Sequence, residues 1–556
     1  MSAFKRVINK EWRNFGKACI GSLNSFFLAC KRAKIIALLL LVILPGLLLR
    51  LYGLKWGLPN ERHLFSYHPD EFYMVGAVLN MDPQHLNFNP GFFNYGTLFI
   101  YLMAIVSAVV KLFVFPETNA GGMALYILSG RIVSAFLGSL SVALVFFAAQ
   151  RFGGLKAALI SALFLTFWPM HLIHSHFATV DIAAAFFVAL TLWLCCRIYD
   201  GEDKAILWAA LSSGLAAATR YNAALVFAAV PTALCLRPRE YAKPDIRRLL
   251  LLCPAALLGF FIGCPYAFLA PSEFIPAVKH AQQLISCGLG DLFKDTPPGW
   301  IYHLQTNFVY GLGLPAALTA VSAVIYNLRS NRGKVLLLWA MLFYLLIGAA
   351  QVKFMRYLLP LTPALAVASG LFVKQLLDLS CGKLRILVML PVLFVLIYTA
   401  LYGLSFSFLM GGPDGRDLIA DKFKDIEAGS SVAVMNIPNF STPPLLWYNG
   451  GKVAPELYRQ SLKECRLNPE VVSFNIDDLQ RLSSDYLVLS EYDYREVARQ
   501  YPEKFAACMS AINRQYRLTL AVAAVPRLGP LRFNKGFPPH DLLYAYPETR
   551  LYRRKE

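Results

Sequence analysis

Two adjacent carboxylates, Asp70 and Glu71, follow a His-Pro pair in FSYHPDEFYMVG, a short way past the first long apolar run of the chain. Cations recur in apolar surroundings further on: Arg131 in RIVSAFLG, Arg220 in ATRYNAAL, and Lys353 and Arg356 in QVKFMRYLLPLTP. Asp181, in SHFATVDIAAAFF, adds a third acid. Ionisable side chains inside or beside a lipid-embedded segment are costly, so they usually face a polar interior and mark a working site. A carboxylate can take a proton from a hydroxyl, and cations can stabilise an anionic leaving group. A plainer reading stands beside this one. Pro69, Asp70 and Glu71 suit the first turn of a helix, where proline is tolerated and acids complement the dipole. The arginines can likewise snorkel or pair structurally.

The elements that must position these residues are helical and membranous. Of the 556 residues 57% are hydrophobic and 16% charged, and long apolar runs recur through the first 410 or so positions. The predicted architecture is a polytopic α-helical membrane protein with a C-terminal α/β soluble domain. Residues 1–34, with eight Lys/Arg, form a cytoplasmic segment; residues 35–408 form the membrane domain, with a first outer loop at 55–124; residues 409–556 form the soluble domain. The net charge of +19 lies largely in short loops, where Lys and Arg set topology, and no basic stripe suggests nucleic acid. Most of the eleven cysteines fall in apolar runs; Cys465 and Cys508 are the one plausible pair.

Eleven spans are predicted, at 35–54, 125–150, 157–172, 178–197, 205–219, 223–236, 249–269, 301–328, 335–352, 357–377 and 386–408. A further apolar run, 96–115, decides sidedness. If it crossed, the basic loops 237–248 and 329–334 would fall outside, against the positive-inside rule. If it lies in the outer leaflet or re-enters, those loops, the Arg151/Lys156 turn and the Lys383/Arg385 turn are cytoplasmic. Asp70, Glu71, the segment 171–181, the loop 270–299, Lys353, Arg356 and the tail then share one outer face. Phe72, Val75, Gly76 and Leu79 are expected on one face of a surface helix.

Carboxylates and cations at the outer boundary of a bundle suit transfer of a group carried on a lipid phosphate. Such a phosphate leaves without a general acid once its charge is stabilised, so one carboxylate suffices as base, unlike the two carboxyl groups of glycosidases. In the tail, helices over 416–427 and 495–516 and strands in SSVAVMNIP and DYLVLSEY are predicted. Trp447, Tyr448 and Asn449 could stack on a sugar or simply fill a core, and no nucleotide-binding loop is present in the sequence.

YHPDE after a first transmembrane helix, RIVSAFLGSLSVALVFF, SHFATVDIAAAFF, GLAAATRYNAALVF, PYAFLAPSEF and KFMRYLLPLTP, in that order, resemble the GT-C superfamily of polyprenyl-phosphate-sugar-dependent glycosyltransferases over residues 35–408. The similarity is greatest to the branch of protein O-mannosyltransferases and lipid A aminoarabinose transferases. It implies Asp70 as catalytic base, with Glu71 in support. Arg131 would contact the donor phosphate or organise the loop, and Arg220, Lys353 and Arg356 would bind that phosphate. His68, Asp181 and Tyr221 would be supporting residues. No cofactor is expected; some GT-C branches use a divalent cation, and His68, His171, His174 and His176 share the outer side without sharp metal-ligand spacing. The implied reaction moves a monosaccharide, with inversion, from a polyprenyl phosphate to a hydroxyl of a lipid, glycan or protein. The expected setting is a bacterial inner membrane with the site facing the periplasm. A transporter or lipid flippase, an oligosaccharide ligase or polymerase, and a noncatalytic receptor remain as alternatives.

Overall fold

A computed structural model describes residues 33–60, 63–116, 119–241, 245–380, 382–435, 439–445, 467–533 and 536–556. Trp447, Tyr448, Asn449 and Cys465 lie outside these residues, as does most of the segment 1–34.

Every predicted span coincides with helix. Six helices among the described residues are long and apolar enough to cross a bilayer, and five shorter apolar helices accompany them. The helix Asn119–Phe167 combines two predicted spans, and Gly154 interrupts it at φ 76°, a left-handed conformation suited to glycine. It ends where Pro169 forces Trp168 into extended backbone, and a short helix, Pro169–His174, follows. Leu41, Leu387 and Leu390, in the first and last spans, are 69%, 68% and 57% exposed, the outward apolar surface that lipid requires.

The loops predicted to share one side meet at one end of the bundle. Arg151 pairs with Asp200 at 3.0 Å and also with Glu202; Arg237 pairs with Asp203 at 2.8 Å; Arg332 donates to the Phe152 carbonyl at 3.0 Å. Asp70, Asp181, Arg220 and Arg356 gather at the other end. The run 96–115 forms the helix Leu98–Lys111, whose 14 residues reach only about 21 Å, short of the ~30 Å apolar core of a bilayer. Its first residue donates to the Ala218 carbonyl at 3.1 Å, and Lys111 at its last bonds the Tyr126 hydroxyl. Gly96 allows this start: a Cβ there would lie 2.0 Å from the Ala218 oxygen. Phe99, Ile100 and Met103 pack with Met74, Val75 and Val133 in a core of their own beside Asp70.

The tail carries a mixed five-stranded sheet. Its strands are β1 (Ser431–Val434), β2 (Asn468–Val471), β3 (Tyr486–Ser490), β4 (Tyr516–Val522) and β7 (Thr549–Arg554), in the order β2-β1-β3-β7-β4. A small ribbon is formed by β5 (Arg527–Leu528) and β6 (Leu531–Arg532). β1 runs parallel to β2 and β3, and β7 antiparallel to β3 and β4. Only β1 and β3 were expected. β2 contains Pro469, which an edge strand tolerates and which hides it from a strand pattern. The helix expected over 495–516 is two, Glu491–Gln500 and Pro502–Gln515, divided before Pro502, and Tyr516 opens β4.

Candidate active site

The helix Pro69–Leu79 begins as its sequence requires. Pro69 occupies the first turn and His68 is the N-cap, its Nδ1 accepting the Asp70 N–H at 3.3 Å. Of the four residues expected on one face of a surface helix, Phe72 and Leu79 are exposed and Val75 is not. Glu71, Met74, Val75, Ala77 and Val78 point inward, whereas Phe72, Tyr73 and Leu79 are exposed at 47%, 57% and 52%. The reason is Glu71, whose partners lie in the bundle and fix the rotation of the helix.

Glu71 is fully buried and engaged on both oxygens. Arg131 donates Nε to Oε1 at 2.8 Å and Nη2 to Oε2 at 2.7 Å; the Ala178 N–H reaches Oε1 at 2.8 Å, and the Ser66 hydroxyl bonds Oε2. Arg131 spends its remaining donors on the Leu54 and Trp56 carbonyls, at 2.7 and 2.5 Å, and on Ser66 at 3.3 Å. With all its nitrogens engaged, Arg131 holds the loop 54–71 against the bundle and has none to spare for a donor phosphate. Of the two roles that the resemblance implied for it, the geometry favours organising the loop.

Asp70 points elsewhere. Its Oδ2 lies 3.1 Å from Nη2 of Arg356, and the pair is largely buried, with side chains 17% and 5% exposed. Nη1 of Arg356 has no hydrogen-bond acceptor. Arg220 is ion-paired with Asp181 and lies 4.5 Å from the centre of the Tyr357 ring. Tyr95 lies within electrostatic reach of Asp70, Arg356 and Arg220, so these groups share one site. Tyr221 contributes at a distance: its hydroxyl donates to the Phe93 and Tyr95 carbonyls at 2.9 and 2.8 Å, holding the strip that carries Tyr95. Lys353 turns away, donating Nζ to the Thr296 hydroxyl at 2.8 Å in the loop 288–298.

The C-terminal domain completes the site, and sequence reasoning missed this. The Asp541 carboxylate, fully buried, accepts the backbone N–H of Met355 at 3.0 Å and of Arg356 at 2.8 Å. Burial raises the Asp541 carboxyl above its usual range, opposed by Arg356 and by those two amides. Tyr544 packs edge-on against His68 at 4.8 Å between ring centres. Burial, with Arg356, His174 and Arg131 nearby, holds His68 well below its ordinary value, so its ring is neutral. Tyr67 donates to Asp417 at 2.6 Å, and Arg416, bound to Asp414 at 2.7 and 2.8 Å, sits 3.8 Å above the Tyr67 ring. The one signal in the sequence was an acid inside the aromatic run PPHDLLYAY.

Among the described residues no three His, Cys, Asp or Glu side chains converge as a metal site. His171 accepts from Arg50 at 3.0 Å through Nδ1, His176 bonds the Leu172 and Tyr52 carbonyls, and His174 lies 4.0 Å from Asp541.

Residues 120–266 match the profile of the family described as dolichyl-phosphate-mannose-protein mannosyltransferase. An uncharacterized protein of Aquifex aeolicus is 24% identical over 259 residues, 44% of this chain; the chain spans about half of that relative's length, 48%. Among solved structures, ArnT from Cupriavidus metallidurans bound to undecaprenyl phosphate is similar over 93% of this chain and 97% of its own, at 14% identity and TM-score 0.47. The Archaeoglobus fulgidus oligosaccharyltransferase in its apo form is similar over 91% and 75%, at 13% identity and TM-score 0.47. The Saccharomyces cerevisiae protein O-mannosyltransferase Pmt1-Pmt2 complex bound to the sugar donor is similar over 48% and 36%, at 19% identity and TM-score 0.32. The family match includes Arg131, Asp181 and Arg220 and does not reach Asp70, Glu71 or Arg356.

Proposed function

We propose that the protein transfers a monosaccharide from a polyprenyl phosphate to an acceptor hydroxyl, with Asp70 as the base. The observation that carries this reading is the pairing of Asp70 with Arg356, whose Nη1 is left without a protein partner. An acid poised to accept a proton and a cation with a donor to spare stand side by side at one end of a lipid-embedded bundle. A donor phosphate reaching Arg356 competes with Asp70 for the guanidinium and frees the carboxylate as it arrives. The acceptor oxygen then attacks the anomeric carbon, the bond from that carbon to the phosphate oxygen breaks, the acceptor proton passes to Asp70, and Arg356 and Arg220 stabilise the departing phosphate. Attack opposite the leaving group inverts the anomeric centre.

Glu71, Arg131, His68 and Tyr221 hold the loops in this account, and Asp181 orients Arg220. The basic end, with Arg151, Arg237 and Arg332, faces the cytoplasm by the positive-inside rule, and Asp70 faces the periplasm of a bacterial inner membrane. No metal enters the step. The test is incubation of purified protein with a panel of radiolabelled polyprenyl-phosphate monosaccharides and a crude envelope extract. Label in a new product, with the free lipid phosphate released in equal amount, is the expected result. Absence of product across the panel contradicts the reading.

A further inference from the structure

Beside His540, the loop 288–298, the residues after Gly299 and the helix Glu491–Gln500 line a cavity of about 530 Å³. Thr296, Tyr302, Thr306, Arg495, Gln500 and His540 line it. Arg495 is 5% exposed. Its Nη2 donates to the Pro538 carbonyl, and its guanidinium lies 3.8 Å from the Phe537 ring centre, but Nε and Nη1 have no hydrogen-bond acceptor. The Glu491 carboxylate forms an ion pair with Nη1 at 3.7 Å, which supplies a counter-charge but is too long for a hydrogen bond. Gln500 donates to the Asp291 carbonyl at 2.6 Å and leaves its own oxygen unpartnered, as His540 leaves Nδ1.

A guanidinium is charged at every accessible pH, and a buried charged donor without an acceptor is expensive. Arg495 is one of the residues that line the cavity, so a ligand entering it can supply what the protein withholds. Arg499 lines the cavity too, paired with Glu496 at 2.9 Å from its Nε and 2.7 Å from its Nη2; Asp295, the other acid of the lining, is exposed. Lys353, buried and bonded to Thr296, adds positive charge behind the wall. The complement is an oxyanion on a head large enough to fill the remaining volume and to offer a hydroxyl to Gln500.

We propose that this cavity binds a phosphate or carboxylate group on the polar head of the acceptor. His540 lines the cavity and the next residue, Asp541, holds Met355 and Arg356, so a head bound here lies one residue from the clasp on the catalytic cation. Assigning the anion to the acceptor rests on the glycosyl-transfer reading; anion binding itself does not.

The test uses the full chain in phosphatidylcholine nanodiscs, without donor. Inorganic phosphate is titrated by calorimetry, and phosphatidic acid included in the disc is counted by native mass spectrometry. At least one probe binds saturably, and the tighter of the two tells a free anion from a lipid-borne one. Arg495→Gln weakens that binding tenfold or more. Thr306→Phe, which fills the cavity from the membrane side without touching Arg495, does the same and carries the test should Arg495→Gln misfold. In Asp70→Asn the component of binding that Arg495→Gln and Thr306→Phe remove is unchanged, so a failure of the transfer reading leaves this result intact. Saturable binding of neither probe, or unchanged binding in the variants, overturns the proposal; binding lost only in Arg495→Gln overturns the cavity as its location.

Discussion

The backbone of Arg356 is held by Asp541, and its side chain holds Asp70, so a residue near the C-terminus sets the position of the cation beside the proposed base. Two hydrogen bonds to a carboxylate are worth on the order of 1.5–3 kcal/mol each. Asp541→Ala removes both and leaves two buried amides without acceptors. If the loss of one bond is expressed in the chemical step, kcat falls about 10–100-fold, whereas a merely structural role lowers only the amount of folded protein. Steady-state kinetics on monodisperse protein separate the two, and Asp541→Asn, which keeps one acceptor, is expected to lie between Ala and wild type.

Glu71→Gln acts on stability. It leaves the Arg131 guanidinium buried without its counter-charge, and breaking a buried pair by removing one partner costs about 3–5 kcal/mol. Low yield and a reduced melting temperature in detergent are the expected outcome. Ser66→Ala, which removes one neutral donor from the same network, is expected to cost only about 1 kcal/mol.

Acid weakens the junction between the tail and the bundle. Burial, with Arg495 and Arg356 nearby, lowers His540 to about 3, against about 6.5 in an unfolded chain. Between those values the unfolded chain binds a proton that the folded one does not, so stability falls as pH drops below about 6.5. The loss through His540 is on the order of 2 kcal/mol at pH 5. Melting temperatures at pH 7 and pH 5 give the slope, which His540→Gln is expected to make shallower by about one proton.

Several features of this arrangement are legible in the sequence. The start of the helix at Pro69 follows from local chemistry, the break at Gly154 lies in the turn expected between Arg151 and Lys156, and each apolar run became a helix. Local rules failed where pairing is distant. Nothing near Asp70 and Glu71 says that one binds Arg356 and the other Arg131, because the choice is made by helices that meet only in the folded bundle. Phe72, Val75, Gly76 and Leu79 were expected on one face of a surface helix; Phe72 and Leu79 are exposed but Val75 is buried, because the ion pair of Glu71 fixes the rotation of the helix. β4, whose YRLTLAV alternates in the manner of a strand, was masked by the helical residues before it.

The most direct measurement is sugar transfer from the active polyprenyl-phosphate donor by Asp70→Asn beside wild type, at equal donor binding and equal melting temperature. The account predicts a loss of about 10²–10⁴-fold in kcat, the range of a removed general base, with the lipid phosphate still bound through Arg356. Transfer by Asp70→Asn at the wild-type rate would contradict it and leave Asp70 as a partner that merely steadies Arg356.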